Sequence, residues 1–122
     1  MPTFLEVAGT TATRSIDGLS LVPALKGDAS QKEHPFLYWE RHSNAGDAHA
    51  QAVRFGDWKA VKTYKKNGTS LALYNLKEDP SEQSDVSAKQ PELVQKAESY
   101  LQTRRLAAVP EWNFVKPDRQ DD

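Results

Sequence analysis

Apolar and polar positions alternate along the middle of the chain, in short stretches rich in aromatic and β-branched residues. Gly, Asn, Asp and Pro separate these stretches, and such a pattern predicts β-strands bounded by turns. Four strands are predicted, over residues 36–41, 51–55, 58–64 and 70–76. The third and fourth are separated by Asn67-Gly68. Because Asn-Gly readily adopts the two positive φ values of a type I′ turn, these two strands are predicted to form a hairpin with that turn.

The two ends of the chain carry a helical pattern instead. Pro91 can open a helix, because a proline at the first helical position loses no hydrogen bond. Apolar residues then recur at the spacing of one helix face: Leu93, Val94, Ala97, Tyr100 and Leu101. Near the amino end, the pattern from Pro2 to Gly9 predicts a short helix, and residues 16–27 predict an irregular or one-turn segment.

The predicted fold class is therefore α+β. It consists of an antiparallel sheet of about four strands packed against a carboxy-terminal helix, with a short amino-terminal helix and an irregular segment. Aromatic residues that alternate on strands usually pack inside, so three of them are predicted to fill the core: Trp39, Trp58 and Tyr74.

Composition narrows the classes of partner. The chain has 16 Lys and Arg against 17 Asp and Glu, and its net charge is -1. This balance provides no basic footprint for nucleic acid and no polybasic patch for a membrane. No apolar run approaches the roughly 20 residues that span a bilayer. The chain has no Cys, so it forms no disulfide, and this is compatible with either cytosol or periplasm.

Four motifs follow one another in a fixed order between Met1 and Arg105. They are Pro2-Thr3-Phe4-Leu5-Glu6-Val7-Ala8-Gly9, the segment 16–27, Tyr38-Trp39-Glu40 followed by Ala52-Val53-Arg54-Phe55-Gly56-Asp57-Trp58-Lys59, and the segment 73–82. This succession resembles the carboxy-terminal subdomain of the arylsulfatase family, the alkaline-phosphatase-like, formylglycine-dependent sulfatases. The resemblance implies three parts: residues 1–27 as the end of the catalytic-domain region and a connector, 28–109 as the small subdomain, and 110–122 as an extended tail.

The resemblance also implies a parent enzyme that hydrolyses sulfuric esters. Its nucleophile is a formylglycine within a Cys/Ser-x-Pro-x-Arg motif, which this sequence lacks. The family binds calcium through Asp-rich pairs, and a hard cation of this kind needs about six to eight oxygen ligands. Asp121-Asp122 is interpreted as a solvated tail. No catalytic residue and no metal ligand is therefore predicted here, the chain alone is expected to be inactive, and calcium and formylglycine are expected in the parent.

Candidate substrate-binding residues are Glu40, Arg41 and His42. The family directs the loop from Arg41 to His49 toward the catalytic cleft, where a histidine can hydrogen-bond a sulfate or a sugar hydroxyl and titrates near neutral pH. In many sulfatases a histidine directly follows the Trp-Glu pair, whereas here Arg41 intervenes. Two interpretations of Glu40 stay open, as a pocket residue or as a cross-strand partner of Arg54 or Lys59.

The remaining polar candidates are assigned to structure or surface. Arg54 and Lys59 flank a turn, and they either support that turn or attract a sulfated substrate. His34 and His49 match no motif position and are predicted to be surface histidines.

The expected partners are the amino-terminal catalytic domain of the same parent and, within that parent, a sulfate-ester substrate. Packing on a larger domain implies an exposed apolar face and self-association through it. The parent is expected to be periplasmic or secreted. In the family, the helix that corresponds to Pro2 to Gly9 continues upstream, so the resemblance implies that it does so here. The alternative function is a free-standing, non-catalytic α+β binding or structural domain related to sulfatases. Phosphatase-like or phosphonate hydrolases, which share the larger fold, are a third option.

Overall fold

The computed structural model describes residues 1–14, 16–41, 48–65 and 67–103. The chain divides into two compact units, Met1–Pro35 and a second unit that begins at Phe36. Each unit has its own secondary structure and its own hydrogen bonds. The predicted division at residue 27 stays a prediction, and the predicted tail of residues 110–122 lies outside the described residues.

The first unit contains two short helices, α1 (Pro2–Val7) and α2 (Val22–Leu25). Each begins with a proline in its first turn, where the missing N–H has no helical partner to lose. Gly9, with φ 68°, follows α1, a conformation that glycine adopts without steric cost. The Leu21 N–H donates to the Thr3 Oγ1 at 3.1 Å and thereby ties the start of α2 to α1.

Most of the apolar side chains of this first unit are exposed. Val22 is its one buried hydrophobic residue among those described, at 8% exposure. Phe4 is 76% exposed and Leu25 is 78% exposed. The predicted helix and one-turn segment are thus present, but their apolar faces are not covered within the part of the chain that the structure describes.

The second unit is built on a four-stranded antiparallel sheet: β1 (Leu37–Arg41), β2 (Ala48–Phe55), β3 (Trp58–Lys65) and β4 (Gly68–Asn75). The strand order is β1-β2-β3-β4, so each strand pairs with its neighbour in sequence. The second strand begins three residues earlier than predicted, and β1 and β2 are joined by residues 42–47, which lie outside the described ranges. The predicted α+β class and the predicted sheet are confirmed.

Both tight hairpins are present, but the position of the second turn differs from the prediction. Phe55 pairs with Trp58 across Gly56-Asp57. Lys65 pairs with Gly68, so two residues separate the paired ends of β3 and β4, and Gly68, with φ 136°, begins β4.

The predicted type I′ turn at Asn67-Gly68 is therefore wrong, although the hairpin itself is confirmed. The core explains the register, because the observed pairing places Leu73 opposite Ala60, and both are fully buried. A type I′ turn centred on Asn67-Gly68 would place Leu73 opposite Lys62 instead.

One face of the sheet packs against α3 (Pro91–Gln102). The buried residues of this core come from the sheet and from one face of the helix: Val53, Phe55, Ala60, Leu73, Ala97 and Leu101. The Tyr100 ring stacks on Phe36, with ring centroids 4.4 Å apart, and meets Phe55 edge-on at 5.5 Å. Leu93, Val94 and Tyr100 are partly buried against the same core. The predicted helix and its apolar face are confirmed.

A hydrogen-bonded carboxylate connects β4 to the segment that leads into α3. Asp85 accepts from the N–H groups of Leu73, at 3.0 Å, and Ser87, at 2.8 Å. Burial raises the pKa of Asp85, but the hydrogen bonds from Leu73 and Ser87 outweigh burial and hold this pKa below its usual value. The charged form of Asp85 thus holds the start of a short 3₁₀ helix (Ser87–Lys89) beside the sheet.

The three aromatic residues predicted to be core differ in their placement. Trp58 is partly buried against the core. Trp39 is 49% exposed, so its predicted core position is wrong. It pairs with Ala52, next to the buried Val53, and alternation along the strands therefore turns it to the face opposite α3. Tyr74 pairs with Lys59 on that same opposite face and is half-buried.

Candidate functional site

Two of the three predicted substrate-binding residues, Glu40 and Arg41, end β1, and both are exposed. Glu40 pairs with Gln51 and Arg41 pairs with Ala50, so their side chains leave the strand on opposite faces. His42 lies outside the described residues, and its place in a pocket stays a prediction.

Glu40 does not form the cross-strand ion pair with Arg54 or Lys59 that one interpretation predicted. Both cations lie on the opposite face of the sheet, because Arg54 pairs with Leu37 and with Lys59. Lys59 instead forms an ion pair with Glu82, with 2.5 Å between Nζ and Oε1. The interpretation failed because residues that are close in the motif alternate between faces.

Glu40 instead ends a hydrogen-bond chain on the helix-facing side of the sheet. The Tyr38 hydroxyl donates to Glu40 Oε1. The Gln51 Nε2 donates to the Tyr38 hydroxyl oxygen at 2.7 Å, and the Tyr64 hydroxyl donates to Gln51 Oε1 at 2.6 Å. We call these four residues the Glu40 chain. It crosses from β3 through β2 to the exposed end of β1.

Sequence reasoning missed three members of the Glu40 chain: Tyr38, Gln51 and Tyr64. A signal for them was present, because Tyr38 and Glu40 are two residues apart on one strand and so share a face. Gln51 interrupts the apolar positions of β2 on the core face, and it is 2% exposed. A buried amide needs hydrogen-bond partners, and this requirement points to a polar cluster.

His49 begins the same face of β2 and pairs with Tyr64. It is half-buried, with its Nδ1 shielded from solvent, so it is less exposed than His34, the other histidine predicted to lie at the surface. His34 is exposed, as predicted. On the helix-facing side of the sheet, Glu40 at the end of β1 and His49 near the start of β2 thus lie beside the apolar core.

The opposite face of the sheet has an open cleft of about 640 Å³. Its lining combines an aromatic ring, two cations and one carboxylate: Trp39, Arg54, Lys59 and Glu82, with Ala52, Leu76 and Pro80. Glu82 has φ 56°, which is unusual for a residue with a side chain. Within this lining, Glu82 forms its ion pair with Lys59 and not with Arg54.

The donor set that a calcium site requires does not match the described part of the chain. Across residues 1–14, 16–41, 48–65 and 67–103, no group of three or more His, Asp or Glu side chains could hold a metal ion. Calcium takes about six to eight oxygen ligands, several of them carboxylates. In the same ranges, no helix is both long and apolar enough to cross a membrane.

Comparison with known proteins identifies the family. Residues 1–107 match the family described as N-sulphoglucosamine sulphohydrolase, C-terminal. The chain is 30% identical over 109 residues to arylsulfatase K of Xenopus laevis, covering 84% of this chain and 20% of that protein. It is 32% identical over 93 residues to a delta 4,5-hexuronate-2-O-sulfatase of Bacteroides thetaiotaomicron, covering 75% of this chain and 19% of that protein.

Solved structures agree. A 2-O GAG sulfatase superposes with a TM-score of 0.70 and 28% sequence identity, over 83% of this chain and 22% of that one. The chain therefore belongs to the sulfatases and corresponds to their carboxy-terminal domain. It spans about a fifth of the length of the relatives it matches.

Proposed function

We propose that this chain serves as the carboxy-terminal domain of a sulfuric ester hydrolase whose hydrolytic centre lies in another part of the parent polypeptide. The observation that carries the proposal is the family match over residues 1–107, combined with the fact that the chain spans about a fifth of its sulfatase relatives. The sequence contains no Cys and no Ser-x-Pro-x-Arg. The formylglycine nucleophile and the calcium ion of the parent are accordingly assigned to the remainder.

In this proposal the domain has two roles. The first is to brace the catalytic domain, and residues 1–27 belong to that contact. Phe4 and Leu25 are exposed apolar side chains of the first unit, and such a surface is typically covered by another domain. Covering them removes their apolar area from water, which is favourable.

The second role is to line the substrate end of the parent's cleft with Glu40, Arg41 and His42. The proposed substrate is a sulfated saccharide, because two relatives are named for a hexuronate and for a GAG. Arg41 offers a planar guanidinium that suits a sulfate or carboxylate. Glu40 offers carboxylate oxygens that accept hydrogen bonds from hydroxyl groups.

The test compares the complete gene product with this chain alone, using 4-nitrophenyl sulfate and a monosulfated disaccharide in the presence of calcium. We expect the complete gene product to hydrolyse the sulfate ester and this chain to be inactive. The reason is that the charged groups that stabilise such a transition state normally supply most of the rate enhancement.

Two results would contradict the proposal. One is sulfate ester turnover by this chain that persists through further purification. The other is a complete gene product that hydrolyses neither substrate, which would favour the alternative of a non-catalytic binding or structural domain.

A further inference from the structure

The Glu40 chain has only one direction of donation. A carboxylate accepts hydrogen bonds and has no proton to donate, so the single hydroxyl proton of Tyr38 is directed to Glu40. The Tyr38 oxygen then accepts from Gln51, whose Nε2 lies 2.7 Å away. This contact fixes the orientation of the Gln51 amide and turns its Oε1 to the Tyr64 hydroxyl at 2.6 Å. All three donors therefore point toward Glu40.

The Glu40 chain is buried at Gln51, in its middle, and exposed at Glu40, where it ends. Gln51 is 2% exposed, and a buried polar group left without a hydrogen-bond partner is unfavourable. This cost keeps the amide in its hydrogen-bonded orientation and makes the polar cluster rigid. Glu40 is exposed at the end of β1, where a glutamate side chain would otherwise sample several rotamers. The buried part of the chain thus limits the orientation of an exposed carboxylate.

Two lysines of the sheet are paired with other carboxylates. Lys62 lies on the same face but forms an ion pair with Glu98 of α3, with 3.2 Å between Nζ and Oε1. Lys59 is paired with Glu82 on the other face. The Tyr38 hydroxyl that donates to Glu40 is neutral, so this hydrogen bond leaves the formal charge of the carboxylate unchanged.

We infer that Tyr38, Gln51 and Tyr64 are positioning residues, which hold the Glu40 carboxylate so that it accepts hydrogen bonds from a hydroxyl group of the saccharide. This inference rests on the proposed function. A sulfate group has no proton to donate at neutral pH and carries the same sign of charge as a carboxylate. Glu40 therefore selects an unsulfated hydroxyl, and it disfavours a saccharide that carries a second sulfate at that position.

The experiment measures KM and kcat of the complete gene product for three substrates. These are a monosulfated disaccharide, the same disaccharide with a second sulfate, and 4-nitrophenyl sulfate, which has no sugar hydroxyl. The variants are Tyr38→Phe, Tyr64→Phe and Glu40→Gln. Tyr74→Phe is the matched control, because it removes the same atom from the opposite face of the sheet.

For the monosulfated disaccharide, Tyr38→Phe is expected to raise KM about five- to tenfold with kcat unchanged, the size of one lost hydrogen bond. Tyr64→Phe acts one step further away and is expected to raise KM about two- to threefold. Glu40→Gln is expected to reduce the ratio of kcat/KM for the monosulfated disaccharide to kcat/KM for the disulfated one. None of these changes should alter KM for 4-nitrophenyl sulfate, and Tyr74→Phe should alter none of the values.

The inference is overturned if Tyr38→Phe raises KM equally for the disaccharide and for 4-nitrophenyl sulfate, or if it behaves like Tyr74→Phe. Should Tyr38→Phe fail to fold, Tyr64→Phe answers the same question. A wild-type protein that hydrolyses no sulfate ester refutes the proposed function alone. Calorimetric binding of the same disaccharide to wild type and Tyr38→Phe then decides the inference, and it is overturned if the two bind equally or neither binds.

Discussion

At the scale of single residues, the face of the sheet decides what an aromatic side chain contributes. Trp58 packs partly against the core, whereas Trp39 lines an open cleft on the other face and is 49% exposed. The two residues have the same side chain and lie in the same sheet. The difference in the stability that each provides should therefore reflect burial.

Trp58→Ala and Trp39→Ala provide a matched test of this statement. We expect Trp58→Ala to lower the free energy of unfolding by about 2–4 kcal/mol, toward the lower end for large core residues because Trp58 is only partly buried. Trp39→Ala should cost about 0.5–1 kcal/mol. Urea unfolding of this chain measures both values. Equal losses would show that Trp39 is covered in solution.

The sequence predicted some residue positions and not others, for physical reasons. Both faces of β1 carry apolar or aromatic side chains, because Leu37 and Trp39 lie on one face and Tyr38 lies on the other. Such a strand does not reveal which face the helix will cover, and Trp39 was therefore assigned to the core. The Glu40 chain was missed because its members belong to three strands and meet only once the register is known.

At the scale of elements, the periodicity of the sequence predicted which helices and strands form better than it predicted the positions of the turns. The five apolar positions of α3 define one face over twelve residues, which leaves little ambiguity. The second hairpin was predicted from Asn67-Gly68, but the burial of Leu73 opposite Ala60 fixes the register two positions away from the one that a type I′ turn would require. Core packing thus overrode local turn preference.

The first hairpin offers a test of turn chemistry. Gly56 has φ 56°, and an added Cβ would meet no heavy atom within 4 Å. Gly56→Ala should therefore lower the free energy of unfolding by about 1–2 kcal/mol through backbone strain alone. Gly56→Asn should cost less, because asparagine tolerates this conformation. Thermal or urea unfolding measures both, and equal losses would show that backbone conformation is not the cause.

At the scale of the whole molecule, exposed apolar surface predicts association of this chain with itself. Phe4, Val7 and Leu25 are all more than 70% exposed in the first unit, and Trp39 is exposed on the sheet. Static light scattering should show a concentration-dependent increase in mass. Phe4→Ser should weaken this increase if the first unit carries the contact, and Trp39→Ser should do so if the sheet does. A monomer at high concentration would contradict the prediction.

The strand order of the sheet has a consequence for how this domain is made. Strands that are consecutive in sequence pair with each other, and in two of the three connections only two residues separate the paired ends. Each pairing therefore closes only a short loop, and topologies of this kind have low contact order and fold fast for their class. The sheet can grow strand by strand in the order in which a ribosome releases it. The helix α3, the last described element, then completes the core.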